Sequence, residues 1–245
     1  MDWLRRIGDT VVDLLFPPRC VACLHLGAWL CAACRDKIDV ISPPVCPRCG
    51  LPREQPAPDT CAACRRAPLQ LDGLRSFAYH SEPLRQAIHE FKYEDLRSLA
   101  PILGSLMVEG WASLAPAGWQ ADAIVPVPLH TARQRQRGYN QAALLAREMG
   151  ARLGSPVVTD ALLRVRATPP QVGLGWQERQ ANVRDAFRCR GDHLAGKHVL
   201  LVDDVCTTAA TLESACIALR AVGVSSVLAY TLARARTSIK PLEGD

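Results

Sequence analysis

The chain is poor in long apolar segments and in aromatic residues. No stretch of its 245 residues approaches the roughly 20 uninterrupted apolar residues of a membrane span, so we expect no transmembrane helix. Phe, Trp and Tyr make up only 5% of the chain, which is few for a surface that stacks unpaired bases. Neither sign of charge dominates, because the formal net charge is +5 with 22% charged residues. This composition is typical of a soluble α/β domain with a smaller attachment.

The amino terminus lacks the apolar core of a signal peptide. Its first 18 residues, MDWLRRIGDTVVDLLFPP, place apolar side chains at helical spacing, but Asp9 and Asp13 interrupt the apolar run. We therefore expect a short docking helix. A membrane-surface helix is the alternative, and the mixed sign of charge on its polar face disfavours it.

Cysteine is abundant and unevenly placed. Eight of the 11 cysteines form four CxxC pairs near the amino terminus, a spacing that lets two thiolates reach one metal ion. We predict two structural zinc sites in chain order, with a crossed pairing left open; disulfides or a redox or iron–sulfur centre are less favoured. Thiolates on zinc also indicate the cytoplasm. The predicted ligands are Cys20, Cys23, Cys31 and Cys34, then Cys46, Cys49, Cys61 and Cys64.

A buried strand with two adjacent carboxylates is the clearest functional signal. Every residue from 199 to 205 other than Asp203 and Asp204 is Val or Leu, as in a parallel strand buried on both faces. The hydroxyl-rich segment Thr207 to Thr211 follows and is expected to open a helix, whose free N–H groups would cradle an anion. Carboxylates beside such a cradle suit a sugar phosphate. The simpler alternative is that the acidic pair only caps the helix.

Arginines are concentrated in the part of the sequence before that strand, on loops expected to flank its acidic end. Between residues 129 and 190 there are eleven arginines and four acidic residues. Arg133, Arg135 and Arg137 alternate in a segment expected to be an extended loop, before a helix capped by Asn140. A second basic segment, 162–188, contains Arg164 and Arg179 and is expected to be a long loop. Guanidinium groups on two such loops are suited to holding a pyrophosphate.

The remaining pattern predicts alternating strands and helices. We expect a short strand after residue 73, helices over 84–91 and from 96 through 108, and strands over 121–127 and 156–161. The predicted division is residues 1–70 for the amino-terminal helix and double zinc ribbon, and 71–245 for the α/β domain.

These motifs together resemble the ComF family of competence-associated, phosphoribosyltransferase-like proteins. The resemblance covers nearly the whole chain: the cysteine pairs, FKY at 91–93, VPVPLH at 125–130, RGYNQ at 137–141, RVRATPPQVGL from 164, ERQANVRDAF from 178, and DDVCTT from 203. It implies a type I phosphoribosyltransferase fold, a Rossmann-like parallel sheet, with phosphoribosyl pyrophosphate (PRPP) and Mg²⁺ as ligands. It also implies a link to DNA uptake and to other competence proteins.

The resemblance also implies roles for individual residues. Asp203 and Asp204 would hold the ribose hydroxyls at the reaction centre, and the arginines would hold the pyrophosphate that leaves C1 of PRPP. The 5-phosphate would lie on Thr207, Thr208, Ala209, Ala210 and Thr211, and the pyrophosphate on Arg133, Arg137 and Arg179.

One position departs from the family pattern. Ala209 stands where glycine is usual, and its methyl group costs about 1 kcal/mol or more if the backbone there has a positive φ. If the helix has already begun at this residue, alanine is harmless.

The sequence does not identify the acceptor substrate, and it leaves open whether the protein catalyses a reaction.

The competing hypothesis is a binding protein without catalysis. Zinc ribbons and clustered arginines are common nucleic-acid surfaces, and a single strand could stack on Trp176 or Tyr139. In this alternative the chain is a single-stranded-DNA-binding competence protein that retains a PRPP site.

Overall fold

A parallel β-sheet forms the centre of the molecule. The computed structural model describes residues 17–167 and 185–236; the expected amino-terminal helix and Arg179 lie outside these residues. The sheet has the order β1-β6-β5-β2, with every neighbouring pair parallel. Its strands are β1 (Gly73–Tyr79), β2 (Ala123–Pro126), β5 (His198–Cys206) and β6 (Ser226–Arg234).

Helices cover both faces of this sheet. One face packs on α3 (Leu84–Tyr93), α4 (Ala100–Leu114) and α6 (Gln141–Leu153), and the other on α7 (Ala210–Arg220). Burial on both faces explains why β5 consists almost entirely of Val and Leu before the acidic pair. The helix expected at 84–91 extends two residues further, to Tyr93. The helix expected from 96 through 108 begins only at Ala100, because a 3₁₀ turn, Arg97–Leu99, precedes it.

The segment with alternating arginines is helical, so the expected extended loop is wrong. Helix α5 spans Thr131–Arg137. The His130 ring accepts a hydrogen bond from the backbone N–H of Ala132, and Gly138 ends the helix with φ of 79°. Ala, Arg and Gln favour a helix once it has such ends. Arg133 and Arg137 consequently lie one turn apart on one side, and Arg135 lies elsewhere.

The strand expected at 156–161 is also wrong. Only Val157 bridges to Ile124 there. The strand begins later, because β3 (Leu162–Arg164) pairs antiparallel with β4 (Phe187–Cys189) in a separate two-stranded sheet. The helix capped by Asn140 is confirmed, since its side chain accepts a 3.0 Å hydrogen bond from the N–H of Ala142.

The eight amino-terminal cysteines form two groups in chain order. Within each group the four sulfur atoms lie within 4.8 Å of one another, and Cys23 and Cys31 Sγ are 3.6 Å apart. Tetrahedral zinc with Zn–S bonds near 2.3 Å requires S···S distances of about 3.8 Å, so both groups fit zinc. The sequential pairing is confirmed. The short helices α1 (Ala32–Arg35) and α2 (Ala62–Arg66) begin directly after Cys31 and Cys61, and each contains the last cysteine of its group.

The ribbons cover the free edge of β1. The N–H of Ile41 donates to the carbonyl of Phe77 at 2.8 Å, and the N–H of Tyr79 donates to Asp39 at 2.9 Å. Further along, the N–H of Leu74 donates to the carbonyl of Arg48 at 2.7 Å. The ribbons thereby satisfy backbone groups that an exposed edge strand would leave open to association. In the described part of the chain, no helix has the length and apolar character needed to cross a membrane.

Metal analysis provides the first test. Reduced protein should contain about two zinc ions per chain, because each of the two groups supplies the four ligands of a structural site. Chelation should make the ribbon residues susceptible to proteolysis, since metal binding contributes their folding free energy. A zinc-free chain with a protease-resistant ribbon would contradict this assignment.

Candidate functional site

The acidic pair lies inside the end of β5 and not after it. The strand continues through Asp203 and Asp204 to Cys206. Because the four strands are parallel, their carboxyl ends share one edge of the sheet, where open α/β sheets bind ligands. The capping alternative is excluded, since the N-cap of α7 is Ala209, five residues beyond Asp204, and no side chain caps it.

Lys92 is the counter-ion of the pair. Its Nζ lies 2.8 Å from Asp204 Oδ1, and the two side chains are only 19% and 5% exposed. The lysine comes from the last turn of α3, which packs on the same face of the sheet. Removal of both charges from water costs free energy that their close contact offsets. The Asp204 carboxylate is thus fixed in position before any ligand arrives.

The neighbouring carboxyl has a different electrostatic environment. Burial of Asp203 and, after it, the adjacent charge of Asp204 raise the pKa of this carboxyl from the ordinary value of 3.8 to about 7. The N–H of Asp204 donates to Asp203 Oδ1 at 2.9 Å, and Lys92 and Arg164 also favour the ionised form. The site therefore holds its negative charge weakly until a ligand with hydroxyl donors or positive charge binds.

Two polar atoms at the site are available to a ligand. Asp204 Oδ2 and Thr208 Oγ1 are buried, and neither has a hydrogen-bond partner within the described ranges. Buried polar atoms are normally paired, because an unmade hydrogen bond there costs about 1–3 kcal/mol. A sugar hydroxyl and a phosphate oxygen are groups that would pair with a carboxylate oxygen and a hydroxyl.

The turn after β5 has the shape expected of a phosphate cradle. Ala209 has φ of 63° and ψ of −4°, in the left-handed region. Helix α7 begins only at Ala210, so Ala210 and Thr211 form its first turn and Thr207 and Thr208 belong to the preceding loop. The first of the two alternatives for Ala209 therefore holds: the position requires a positive φ, and alanine occupies it with strain.

The arginines expected at the site have distinct placements. Arg137 donates to Gln141 Oε1, and its guanidinium lies 5.2 Å from the centre of the Tyr93 ring. Arg137 therefore lies beside Tyr93, the residue that follows Lys92 in the sequence. Burial lowers the pKa of Arg164; the charge of Asp203 opposes this shift, and the charge of Arg133 adds to it. Arg164 thus lies between the acidic pair and α5.

A basic cavity of about 750 Å³ opens beside α5 and β3. Its described lining residues include no Asp or Glu. Tyr139 also lines it but is not a stacking platform, because it is only 7% exposed, Arg97 covers its ring at 4.7 Å, and its hydroxyl donates to the Phe91 carbonyl. Trp176, the other expected stacking residue, lies outside the described residues. The cationic lining residues are Arg97, Arg147, Arg164 and Arg190.

Sequence reasoning missed Lys92 and Arg164 as site residues. Lys92 is more than a hundred positions from its partner Asp204, and no local spacing links them. The only signal was the FKY triplet, which the family resemblance includes without a role. Arg164 was noted as basic, and only the fold places it near Asp203.

Comparison with known proteins identifies the family. Residues 11–65 match the double zinc ribbon domain, and residues 137–245 match the phosphoribosyl transferase domain. Competence protein F of Haemophilus influenzae is 33% identical over 227 residues, which cover 89% of this chain and 97% of that protein. The chain belongs to the ComF family. The DNA utilization protein YhgH of Escherichia coli K12 is 32% identical over 227 residues, covering 90% of this chain and 99% of that protein.

The ComF-family chain has the expected fold, a type I phosphoribosyltransferase sheet preceded by a double zinc ribbon. One similar solved structure is the glutamine PRPP amidotransferase from B. subtilis complexed with ADP and GMP. The match covers 55% of this chain and 26% of that protein's chain. The identity is 19% and the TM-score 0.38.

Removal of Lys92 tests the buried ion pair. Lys92→Met should destabilise the protein by about 3–5 kcal/mol, because it leaves the buried Asp204 charge uncompensated. Urea unfolding measures the loss. The control Lys37→Met changes an exposed lysine and should stay within about 0.5 kcal/mol of the parent. Equal stability of the two variants would contradict a structural pair at this position.

Glycine substitutions test the strain in the turn. Ala209→Gly should stabilise the fold by about 1 kcal/mol, because glycine adopts the left-handed region without a Cβ penalty. Ala210→Gly, one residue later in the helix, should destabilise it by about 1 kcal/mol. Thermal unfolding of the two variants should therefore shift in opposite directions, and a shift in the same direction would show that Ala209 is unstrained.

Proposed function

We propose that this ComF-family protein binds PRPP with Mg²⁺ at the end of β5 and displaces its pyrophosphate, in a cytoplasmic process connected to DNA uptake. The supporting observation is the combination at one sheet edge of a lysine-paired acidic pair, an unpartnered Asp204 oxygen and a left-handed phosphate turn. The relatives named for competence and DNA utilization support the connection to DNA.

Each part of the site has a separate task in this proposal. Asp203 and Asp204 accept hydrogen bonds from the ribose hydroxyls, and the turn amides with Thr207, Thr208 and Thr211 hold the 5-phosphate. Charge-assisted hydrogen bonds of this kind hold the ribose ring in one orientation. Because Lys92 already neutralises Asp204, a neutral sugar can bind without leaving two buried negative charges.

The arginines act on the leaving group. Arg133 and Arg137 are suited to the pyrophosphate, together with Arg179 from the second basic segment. Mg²⁺, a hard cation that favours phosphate oxygens, neutralises the pyrophosphate charge when bound. As the C1–O bond breaks, pyrophosphate leaves with the electron pair, an acceptor nucleophile forms the new bond to C1, and the carboxylates stabilise the oxocarbenium-like ribose between the two events. Such a reaction depends on positioning, so it needs no protein nucleophile.

Substitution of the acidic pair tests this proposal. Asp203→Asn and Asp204→Asn should each weaken PRPP binding in the presence of Mg²⁺ by at least about tenfold, because hydrogen bonds to charged groups contribute about 1.5–3 kcal/mol. Calorimetric titration measures the affinity. Asp192→Asn, at an exposed position, is the matched control. Unchanged affinity in both site variants would show that PRPP does not use this strand end.

Single-stranded DNA binding is the second candidate function. The basic cavity favours it, because arginines line it without an acidic residue among its described lining. Phosphodiester groups bind such surfaces through counterion release, whatever the base sequence. The buried Tyr139 ring argues for contact with the backbone of the nucleic acid and not for stacking.

Arginine substitutions separate the two functions. Arg137→Ala should weaken the binding of PRPP far more than the binding of ribose 5-phosphate, because only PRPP carries the pyrophosphate. Arg147→Ala and Arg190→Ala should leave PRPP affinity intact. If the cavity binds DNA, each should also reduce the salt dependence of single-strand binding by about 0.7 per lost contact. The control is Arg152→Ala, whose side chain already pairs with Glu148.

Loss of DNA binding in Arg137→Ala with unchanged PRPP affinity would contradict the pyrophosphate role and favour the nucleic-acid function. Loss of both would place the two ligands on overlapping sites, and PRPP should then compete with DNA.

A further inference from the structure

Arg234 lies beside the start of the 207–211 turn and reaches the second cysteine group. It is the last residue of β6 and stands opposite Cys206 in the β5–β6 register, one residue before the turn begins. The side chain is 6% exposed. Its Nη1 donates to the carbonyl of Cys49 at 2.8 Å, and its Nε has no hydrogen-bond partner in the described part of the chain.

The charge of Arg234 acts on the end of β5. It opposes the effect of burial on the pKa of the Cys206 thiol, so the guanidinium lies close enough to affect groups at the start of the turn. A buried cation is normally balanced by a negative group. Among the described residues, the hydrogen-bond and ion-pair partners of Arg234 include the Cys49 carbonyl but no carboxylate. A phosphate on the 207–211 turn would give the guanidinium an anionic partner at this edge of the sheet.

A second connection joins the same ribbon to the helix after the turn. The N–H of Gln70 donates to Glu213 Oε1 at 2.6 Å, and the Cys216 thiol donates to the Gln70 carbonyl at 3.5 Å. Asp72 also pairs with Arg220 at the other end of α7. The segment that leaves the second ribbon therefore makes hydrogen bonds and an ion pair along α7. Within the ribbon itself, the Cys49 carbonyl accepts a hydrogen bond from Arg234.

The first cysteine group has different neighbours. Cys20 and Cys34 pack with Ile38 and Ile41 in the core on the opposite face of the sheet, which contains α3 and α4. Leu69 and Leu71, which follow the second group, instead pack in the core that contains α7. Among the described residues near the two cysteine groups, only the segment after the second group packs in the core that contains α7.

We propose that Arg234 is a positioning residue for phosphate on the 207–211 turn, and that the second zinc site holds it there. This inference rests on the proposed sugar-phosphate site. Zinc with four thiolates carries a net negative charge and fixes the direction of the Cys49 carbonyl. Arg234 then presents a positive charge of fixed position beneath the anion. Occupancy of the second zinc site, and not of the first, consequently sets the affinity for a sugar phosphate.

Substitution of Arg234 in the full, zinc-loaded chain tests the positioning role, with ribose 5-phosphate as the calorimetric probe. Arg234→Met should bind it at least tenfold more weakly, whereas Arg234→Lys, which keeps the charge, should stay within threefold. Arg236→Met changes a neighbouring exposed arginine that pairs with Asp39, and its affinity should not change. Equal losses in the Met and Lys variants would overturn a role for the charge.

Removal of one zinc at a time tests the coupling. Cys64→Ser and Cys34→Ser should each lose one zinc by metal analysis, and only Cys64→Ser should weaken ribose 5-phosphate binding. Equal affinities in these two variants, or parent affinity in Arg234→Met, would overturn the inference while the proposed site stands. Failure of the unsubstituted protein to bind ribose 5-phosphate would instead overturn the proposed function and this inference with it.

Discussion

The buried contact between Lys92 and Asp204 is the interaction on which the candidate site depends. Two consecutive carboxylates at the end of a strand covered on both faces would repel each other and lose hydration. Lys92 offsets this at Asp204 with a 2.8 Å contact, and burial raises the pKa of Asp203 instead. The negative charge is therefore concentrated on one fixed carboxylate, whose Oδ2 is left for another partner.

Other parts of the fold bring the remaining side chains of the candidate site close to that carboxylate. Parallel strands place the acidic pair and the phosphate turn at one edge of the sheet. Helix α3 brings Lys92 from one side, and β3 brings Arg164 from the other. The ribbons occupy the β1 edge, far from the basic cavity near β2. The edge of the sheet covered by the ribbons is thus opposite the edge beside the basic cavity.

Local patterns were sufficient to predict the features that depend on neighbours in the chain. The run of Val and Leu before Asp203 identifies a doubly covered parallel strand, and the short spacing of the CxxC pairs identifies both cysteine groups. The Asn140 cap also follows from local sequence. These predictions succeed because hydrogen bonds and metal ligation there join residues close in sequence.

The features that the sequence did not predict depend on distant contacts or on weak local preferences. Lys92 contacts Asp204 only because α3 packs on the sheet. Arg164 lies near Asp203 only because β3 brings it there. Helix α5 was missed because alternating arginines suit a strand as well as a short helix, and its His130 and Gly138 ends decide between them. Ala209 could be assigned to a strained turn only once its backbone angle was known.

A crystal structure of the protein grown with PRPP and Mg²⁺ tests the central claim most directly. The account predicts ribose hydroxyl oxygens within about 2.5–3.0 Å of the Asp203 and Asp204 carboxylates, and the 5-phosphate on the 207–211 turn. PRPP phosphates bound in the basic cavity, with Asp204 in contact with Lys92 alone, would contradict it.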